Sequence, residues 1–185
     1  MTYFILAQIF GIIGMLMNIF SYQFKQQKSI ICVQLFGSLF FTVNMFMLNA
    51  ITGGLLNLIG VFRAIVYYNK FKFKNIKPWN WFFIILYILS YFSVFLIFKK
   101  EPTIFNIFIE VLPIIAMIVM TLAFSKQNAT ELRHLALISS PLWLIYNCFN
   151  LSIGGILCET FSIISVLSAI IRFKKGIKNN EKTKS

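Results

Sequence analysis

Long apolar stretches separated by short polar segments are the feature that most restricts how this chain can fold. A helix needs about 20 mostly apolar residues to cross the hydrocarbon core of a bilayer, with a range of about 17 to 25. Seven segments of the 185-residue chain meet this length: 3–24, 30–48, 52–69, 81–98, 103–124, 135–151 and 156–173. Because they are apolar on all sides and do not alternate as barrel strands do, we predict an all-α membrane protein with seven transmembrane helices.

The ionisable residues argue against an enzyme. All five acidic residues are glutamates, and the single histidine, His134, lies at the edge of an apolar segment rather than inside one. Catalytic sites built on aspartate pairs or on buried histidines therefore lack their components. The three cysteines have unrelated spacings within the apolar segments, so no metal site is predicted. We expect a protein that is not an enzyme and that carries no cofactor.

Lysine and arginine are concentrated in alternate loops. Thirteen of the 17 basic residues fall on one predicted side: Lys25, Lys28, Lys70, Lys72, Lys74, Lys77, Lys126, Arg133, Lys174, Lys175, Lys178, Lys182 and Lys184. The loops of the other side hold two, Lys99 and Lys100. Because basic loops stay in the cytoplasm, this bias predicts an N-terminus outside and a cytoplasmic C-terminus. Termini on opposite sides require an odd number of spans.

The net charge of +12 is explained by membrane topology and by contact with lipid headgroups. We expect residues 174–185 to form a disordered cytoplasmic anchor whose partners are anionic lipid headgroups. Because the other basic residues lie between apolar segments, their positions are accounted for by topology, and no nucleic-acid partner is predicted.

The chain contains an internal repeat with a period of 101 residues. The matching residues lie at corresponding loops and turns: Lys25 and Lys126, Gln26 and Gln127, Ser38 and Ser139, Asn49 and Asn150, Gly53 and Gly154, Gly54 and Gly155. We expect the two glycine pairs to form tight turns. Three spans followed by a single span return the chain to its starting side, so the two repeats are predicted to be parallel. Transporters use this architecture, with a site near the midplane between the repeats.

This repeat predicts four regions along the chain. Residues 1–69 form the first three-helix repeat, and residues 70–102 form a basic cytoplasmic loop and a linker helix. Residues 103–173 form the second three-helix repeat, and residues 174–185 form the basic cytoplasmic tail.

The second repeat carries a set of short motifs: Glu110-Val-Leu-Pro113, Thr121-Leu-Ala123, Trp143-Leu-Ile-Tyr-Asn147, Ser152-Ile-Gly-Gly155 followed by Glu159, and Ile171-Arg172-Phe173. With these motifs the chain resembles the YgjV family of bacterial inner membrane proteins. Weaker matches in the first half are Gly11, Gly53-Gly54, Asn57 and Arg63. The resemblance implies a multi-pass protein of the bacterial inner membrane, and says more about location and fold than about function.

The 3+1+3 layout and the predicted orientation more distantly resemble the SWEET and SemiSWEET sugar transporters and the PQ-loop proteins. Those families carry a proline in the first helix of each repeat, where it supports rocking, and an Asn or Trp that lines the pocket. Pro113 fits this pattern, whereas its counterpart in the first repeat is Ile12, next to Gly11. We predict Pro113, Pro141 and Gly11 as hinges; simple helix kinks are the alternative for the two prolines.

Three ionisable residues lie inside predicted spans, where charges are costly and usually functional. Glu110 and Glu159 lie about 6 to 10 Å below the outer surface, and Arg63 lies about 15 Å below it. The repeat gives each of them an apolar counterpart. We predict that all three bind substrate or couple transport. In the alternative, Arg63 neutralises one glutamate and locks the two halves together, and both interpretations place Arg63 close to a glutamate.

Polar and aromatic residues of the spans complete the predicted site. Asn57 and Asn147 are expected to line a polar cavity, and Trp143 to stack on a substrate; the alternative is hydrogen bonding and packing between helices. Together these features predict a secondary carrier or facilitator for a small polar metabolite. A membrane scaffold or regulatory protein that does not transport is the alternative. Membrane lipids and the metabolite are the expected partners, and a homo-oligomer is left open.

Overall fold

The computed structural model describes residues 2–150 and 152–182, and their side chains except those of Thr2, Phe71 and residues 173–182. This part contains seven α-helices: α1 (Thr2–Ser21), α2 (Gln27–Met47), α3 (Ile51–Tyr68), α4 (Lys77–Leu96), α5 (Ile104–Ser125), α6 (Ala129–Phe149) and α7 (Ile153–Lys182). A short 3-10 turn, Lys70–Lys72, precedes α4, and the described residues include no strand. The predicted all-helical class is confirmed.

Local sequence signals set several helix ends. The Thr103 side chain accepts a hydrogen bond from the Asn106 backbone N–H at 3.1 Å at the start of α5. The Asn128 side chain does the same for Thr130 at 2.8 Å at the start of α6. These caps satisfy N–H groups that have no partner within their helix. Asn49 reverses the chain between α2 and α3 with a left-handed φ of 56°, a conformation that asparagine tolerates.

Six helices of the described chain are long and apolar enough to cross a membrane, and α6 is not among them. Its first turns contain Glu131 and Arg133, and polar residues such as Ser139 and Asn147 are buried on its inner side. Outward-facing surfaces of the bundle are rich in exposed large apolar side chains, for example Phe62, Trp81 and Ile104. Because a soluble protein rarely exposes apolar surface on this scale, the helices are in contact with lipid. The protein is a multi-pass integral membrane protein, and the seventh span stays a prediction.

The helices pack as a ring with one helix outside it. Around the ring α1 contacts α2, α2 contacts α3, α3 contacts α5, α5 contacts α6, α6 contacts α7, and α7 returns to α1. The remaining helix, α4, packs against α3 and α5. In each half the middle helix therefore lies between its two neighbours in sequence.

The paired glycines were predicted to form tight turns between helices, and this prediction is wrong. They lie inside helices, within the first helical turn of α3 and of α7. No described glycine has a positive φ. Their missing side chains instead allow close packing, because a Cβ on Gly54 would come within 2.6 Å of the Phe46 ring. A Cβ on Gly155 would come within 2.5 Å of Asn147 Cγ. Phe46 and Asn147 are themselves related by the 101-residue period.

The C-terminal tail also differs from the expectation. It was predicted to be disordered from residue 174, but α7 continues to Lys182. Apolar content marks where a helix is in lipid, and a helix of lysine and asparagine in water leaves no such signal.

Candidate functional site

A central cavity of about 80 Å³ lies inside the ring, and all six ring helices contribute to it. At about 10 to 15 Å³ for each buried water, this is room for about half a dozen waters. Its polar lining consists of Asn18, Gln34, Ser38, Asn57, Arg63, Ser139, Ser140, Asn147 and Glu159. Phe41, Met45, Met117, Met120 and Trp143 supply much of the apolar lining. A concave site with a few converging polar groups is the usual form of a small-molecule site.

Five of the six predicted substrate residues line the central cavity: Asn57, Arg63, Trp143, Asn147 and Glu159. Trp143 also packs edge to face against Tyr146, with the ring centroids 5.7 Å apart. The sixth residue, Glu110, lies in a separate pocket. The structure thus brings together residues from α3, α6 and α7 that are up to 102 positions apart in the sequence.

Arg63 is buried where α3 meets α4 and α5. Its guanidinium donates to the Met117 carbonyl at 3.2 Å and to the Thr121 hydroxyl at 3.4 Å, and it lies 4.6 Å from the centre of the Phe124 ring. Tyr87 extends this network from α4, with its hydroxyl 3.0 Å from that of Thr121. Arg63 Nε has no hydrogen-bond partner.

Arg63 does not form an ion pair with a glutamate, although Arg63 and Glu159 line the same cavity. Among the described residues the ion pairs are Lys100 with Glu110 and Lys126 with Glu131. Arg63 instead donates to groups on α5, and Glu110 is paired with Lys100. Arg63 is therefore a buried cation without a carboxylate at ion-pair distance.

Glu159 and Asn147 form the acceptor side of the cavity. Glu159 on α7 faces the Ser140 hydroxyl on α6. Asn147 is 2% exposed, and its Oδ1 has no hydrogen-bond partner. Gly155 makes room for this side chain, as described above. Buried polar atoms are nearly always paired, so unpartnered atoms at a cavity wall indicate a bound water or ligand.

Glu110 lies in a second cavity of about 260 Å³, the Glu110 pocket, between the α2–α3 turn, the α4–α5 loop and the end of α6. The carboxylate is 1% exposed, and its Oε1 is paired with the Lys100 ammonium, whose side chain is 35% exposed. Its Oε2 has no hydrogen-bond partner. Thr52, Phe98 and Tyr146 are among the residues that line the pocket.

The three predicted hinge residues occupy different surroundings. Pro113 is buried in α5, and Pro141 is exposed on α6. Gly11 lies at a close approach of helices: its Cα would be 3.4 Å from a Cβ on Gly154, and a Cβ on Gly11 itself would be 2.9 Å from Asn44 Nδ2. Their role as hinges stays a prediction.

A buried charged cluster lies at one end of the bundle and was not predicted from the sequence. Lys70 and Arg133 were counted as loop charges, but they are 7% and 2% exposed. Arg133 on α6 donates from Nε to the Tyr22 carbonyl at 3.1 Å and from Nη2 to the Phe24 carbonyl, just beyond α1. The cluster was missed because loop position predicts the side of the membrane and says nothing about burial.

Lys70 makes the equivalent contact in the opposite direction, from the end of α3 to the end of α5. It follows α3, and its ammonium donates to the Phe124 carbonyl at 3.0 Å and to the Lys126 carbonyl, both at the C-terminal end of α5. Gln27 Oε1 accepts from the same ammonium at 2.8 Å. Burial lowers the pKa of Lys70 from 10.5 to about 8. Each half therefore supplies a cation to the C-terminal carbonyls of the other half's first helix, where a positive charge is favourable. We call the end of the bundle that contains Lys70 and Arg133 the basic end.

The lipid-exposed helical ring and the polar cavity within it define a multi-pass integral membrane protein with an internal polar site. The family of bacterial inner membrane proteins known as Imp-YgjV matches residues 5–176. Because the match covers nearly the whole chain, the protein belongs to this family and is a multi-pass protein of the inner membrane. No curated protein and no solved structure matches the chain.

Proposed function

We propose that the protein is a secondary carrier or facilitator for a small polar metabolite, not an enzyme, and that the central cavity is its substrate site. The observation that carries this proposal is a buried cation and unpartnered polar atoms around one internal cavity. Arg63 Nε and Asn147 Oδ1 both lack a hydrogen-bond partner. A structural core would pair these groups, since unpaired buried polar groups are costly.

The arrangement of helices supports alternation between two halves. If α1, α2 and α3 are exchanged with α5, α6 and α7, every ring contact maps onto another: α1 with α2 onto α5 with α6, and α1 with α7 onto α5 with α3. This exchange symmetry supports two related three-helix repeats joined by α4 as a linker. Rocking of one repeat against the other would expose the cavity first to one side and then to the other.

The charges of the cavity indicate which chemistry the substrate carries. Arg63 favours an anionic group, such as a carboxylate or phosphate, because the bound anion would supply the missing counter-charge. Glu159 on α7 and Asn147 on α6 offer oxygen acceptors elsewhere on the cavity wall, which suits hydroxyl or amino groups. We therefore infer a short anionic metabolite with hydrogen-bond donors at its other end.

Uptake into proteoliposomes tests the proposal. The probe is a metabolite extract from bacteria grown on ¹³C-glucose, and the readout is labelled compounds retained by vesicles with protein but not by empty vesicles. We expect retention of at least one anionic compound, and its loss in Arg63→Met and Glu159→Gln. Glu131→Gln, which changes an exposed glutamate on α6, is the matched control and should retain uptake.

Failure has a defined form. If folded wild-type protein retains no more labelled compound than empty vesicles do, the carrier proposal is contradicted and the alternative of a non-transporting scaffold is supported. The orientation is tested separately with reporter fusions at the N-terminus and after Lys178, which should report opposite sides of the membrane. Both ends on one side would contradict the seven-span topology.

A further inference from the structure

The Glu110 pocket is separate from the central cavity and has its own chemistry. A carboxylate is buried at its wall, and one of its two oxygens is unpartnered. An ionised carboxylate has about four acceptor positions, so the pair with Lys100 leaves most of this capacity unused. The pocket beside it has a volume of about 260 Å³.

Lys100 occupies the pocket as a tethered cation. It belongs to the loop after α4, and its side chain is 35% exposed whereas the carboxylate it pairs with is 1% exposed. A long flexible side chain that is partly in water can leave at small cost, but the buried carboxylate still requires a positive partner. A second ammonium group is the chemical equivalent of the lysine head.

We propose that the Glu110 pocket binds a primary ammonium group, which pairs with the unpartnered oxygen of Glu110 and competes with Lys100. The walls suit a small cation of this kind. Asn49, Asn150 and Tyr146 provide oxygen acceptors for the remaining N–H groups, and Val94 and Phe98 provide an apolar surface for a short carbon chain. A guest ammonium therefore finds the same kind of site that the lysine head now fills.

Two sources of this chemistry are available to a membrane protein: a soluble amine, and the ethanolamine headgroup of a lipid. The pocket lies at the end of the bundle where apolar side chains such as Ile97 and Ile104 are exposed, so a headgroup at the bilayer surface reaches the same depth as a dissolved amine. Both present a primary ammonium, and the experiment separates them.

The test uses the purified full chain in a neutral detergent, with ethylammonium chloride as probe. Tetramethylammonium chloride is the control, because it has the same charge and no N–H donor. We expect ethylammonium to raise the melting temperature in a saturable way and tetramethylammonium to leave it unchanged. Glu110→Gln should weaken ethylammonium binding at least about tenfold, as loss of one charged hydrogen bond does. Glu101→Gln, an exposed glutamate of the preceding loop, should bind as the wild type does.

Removal of the tethered lysine gives a second readout. Lys100→Ala should melt at a lower temperature than wild type, ethylammonium should restore it, and the apparent affinity should rise because the competitor is gone. Lys99→Ala is the matched control and should show neither effect. If ethylammonium and tetramethylammonium act alike on both wild type and Lys100→Ala, the proposal is overturned, even where Glu110→Gln does not fold.

Nanodiscs identify the source of the ammonium. If phosphatidylethanolamine raises the melting temperature relative to phosphatidylcholine, and this depends on Glu110, the ligand is the lipid headgroup. If the two lipids are equivalent and soluble ethylammonium still binds, the ligand is a free amine. Failure here leaves the carrier proposal untouched, since no residue that lines the Glu110 pocket also lines the central cavity.

Discussion

The two ends of the helical ring are held together by different kinds of contact. At the basic end, Lys70 and Arg133 each bind backbone carbonyls of the opposite half, and both are buried. At the opposite end the contacts between halves include neutral hydrogen bonds, from the Gly53 N–H to the Tyr146 hydroxyl at 3.1 Å and from the Gly154 N–H to Gln8 Oε1 at 3.4 Å. Charged hydrogen bonds contribute about twice as much as neutral ones. The basic end is therefore the more strongly closed of the two.

The largest effect is expected from Arg133→Met. The substitution leaves the Tyr22 and Phe24 carbonyls without their donor and removes a charged group that makes two hydrogen bonds. We expect the free energy of unfolding to fall by about 3 kcal/mol. Reversible unfolding in mixed micelles measures it. Lys72→Met, an exposed position beyond α3, is the control and should change stability by less than about 0.5 kcal/mol.

Lys70→Met is expected to cost about 2 kcal/mol at pH 7, because it leaves Gln27 Oε1 and the carbonyls at the end of α5 without their donor. Its pH dependence has a defined sign. The folded pKa is about 8 and the ordinary value is 10.5, so the unfolded chain holds more protons between these two values. Wild-type stability should therefore rise with pH across this window relative to Lys70→Met. The difference in free energy of unfolding between wild type and Lys70→Met should widen from pH 8 to 10.5. A difference that stays constant or narrows would contradict the burial of this lysine.

At the opposite end, Tyr146→Phe removes one neutral hydrogen bond and leaves the Gly53 N–H, at the start of α3, without its acceptor. We expect a loss of about 1 kcal/mol, clearly smaller than that for Arg133→Met. Unfolding under identical conditions gives the ratio of the two effects. If Tyr146→Phe proves as costly as Arg133→Met, the difference between the ends disappears.

The smallest effect is expected from Gln8→Leu. The hydrogen bond it removes is long, and Gln8 Nε2 is buried without a partner, so the substitution also removes an unsatisfied donor. We expect a change within about 0.5 kcal/mol in either direction. A larger loss would mean that α1 and α7 depend on this contact.

Much of the architecture could be predicted from sequence. Apolar length located the helices, and α5, predicted as 103–124, is Ile104–Ser125. Charged, polar or aromatic character inside a predicted span singled out residues 57, 63, 143, 147 and 159, and these share a cavity although they are distant in sequence. Their role in binding stays a prediction. The sequence could not show which neighbouring helix a side chain faces. The depth of Arg63 was visible, but a long side chain can turn toward α5 as readily as toward α7, and only packing decides. Glu110 was likewise grouped with Glu159 by depth alone. Its side chain instead pairs with Lys100 in a separate pocket.

The cross-half contacts of the basic end also constrain the order of events during synthesis. The Phe24 carbonyl accepts a hydrogen bond from Arg133, which lies 109 positions further along the chain. At about 5 to 20 residues per second, the first helix leaves the ribosome about 5 to 20 s before its partner exists. During that interval its last carbonyls depend on interfacial water, and the first half is an assembly intermediate that is completed only when α6 inserts.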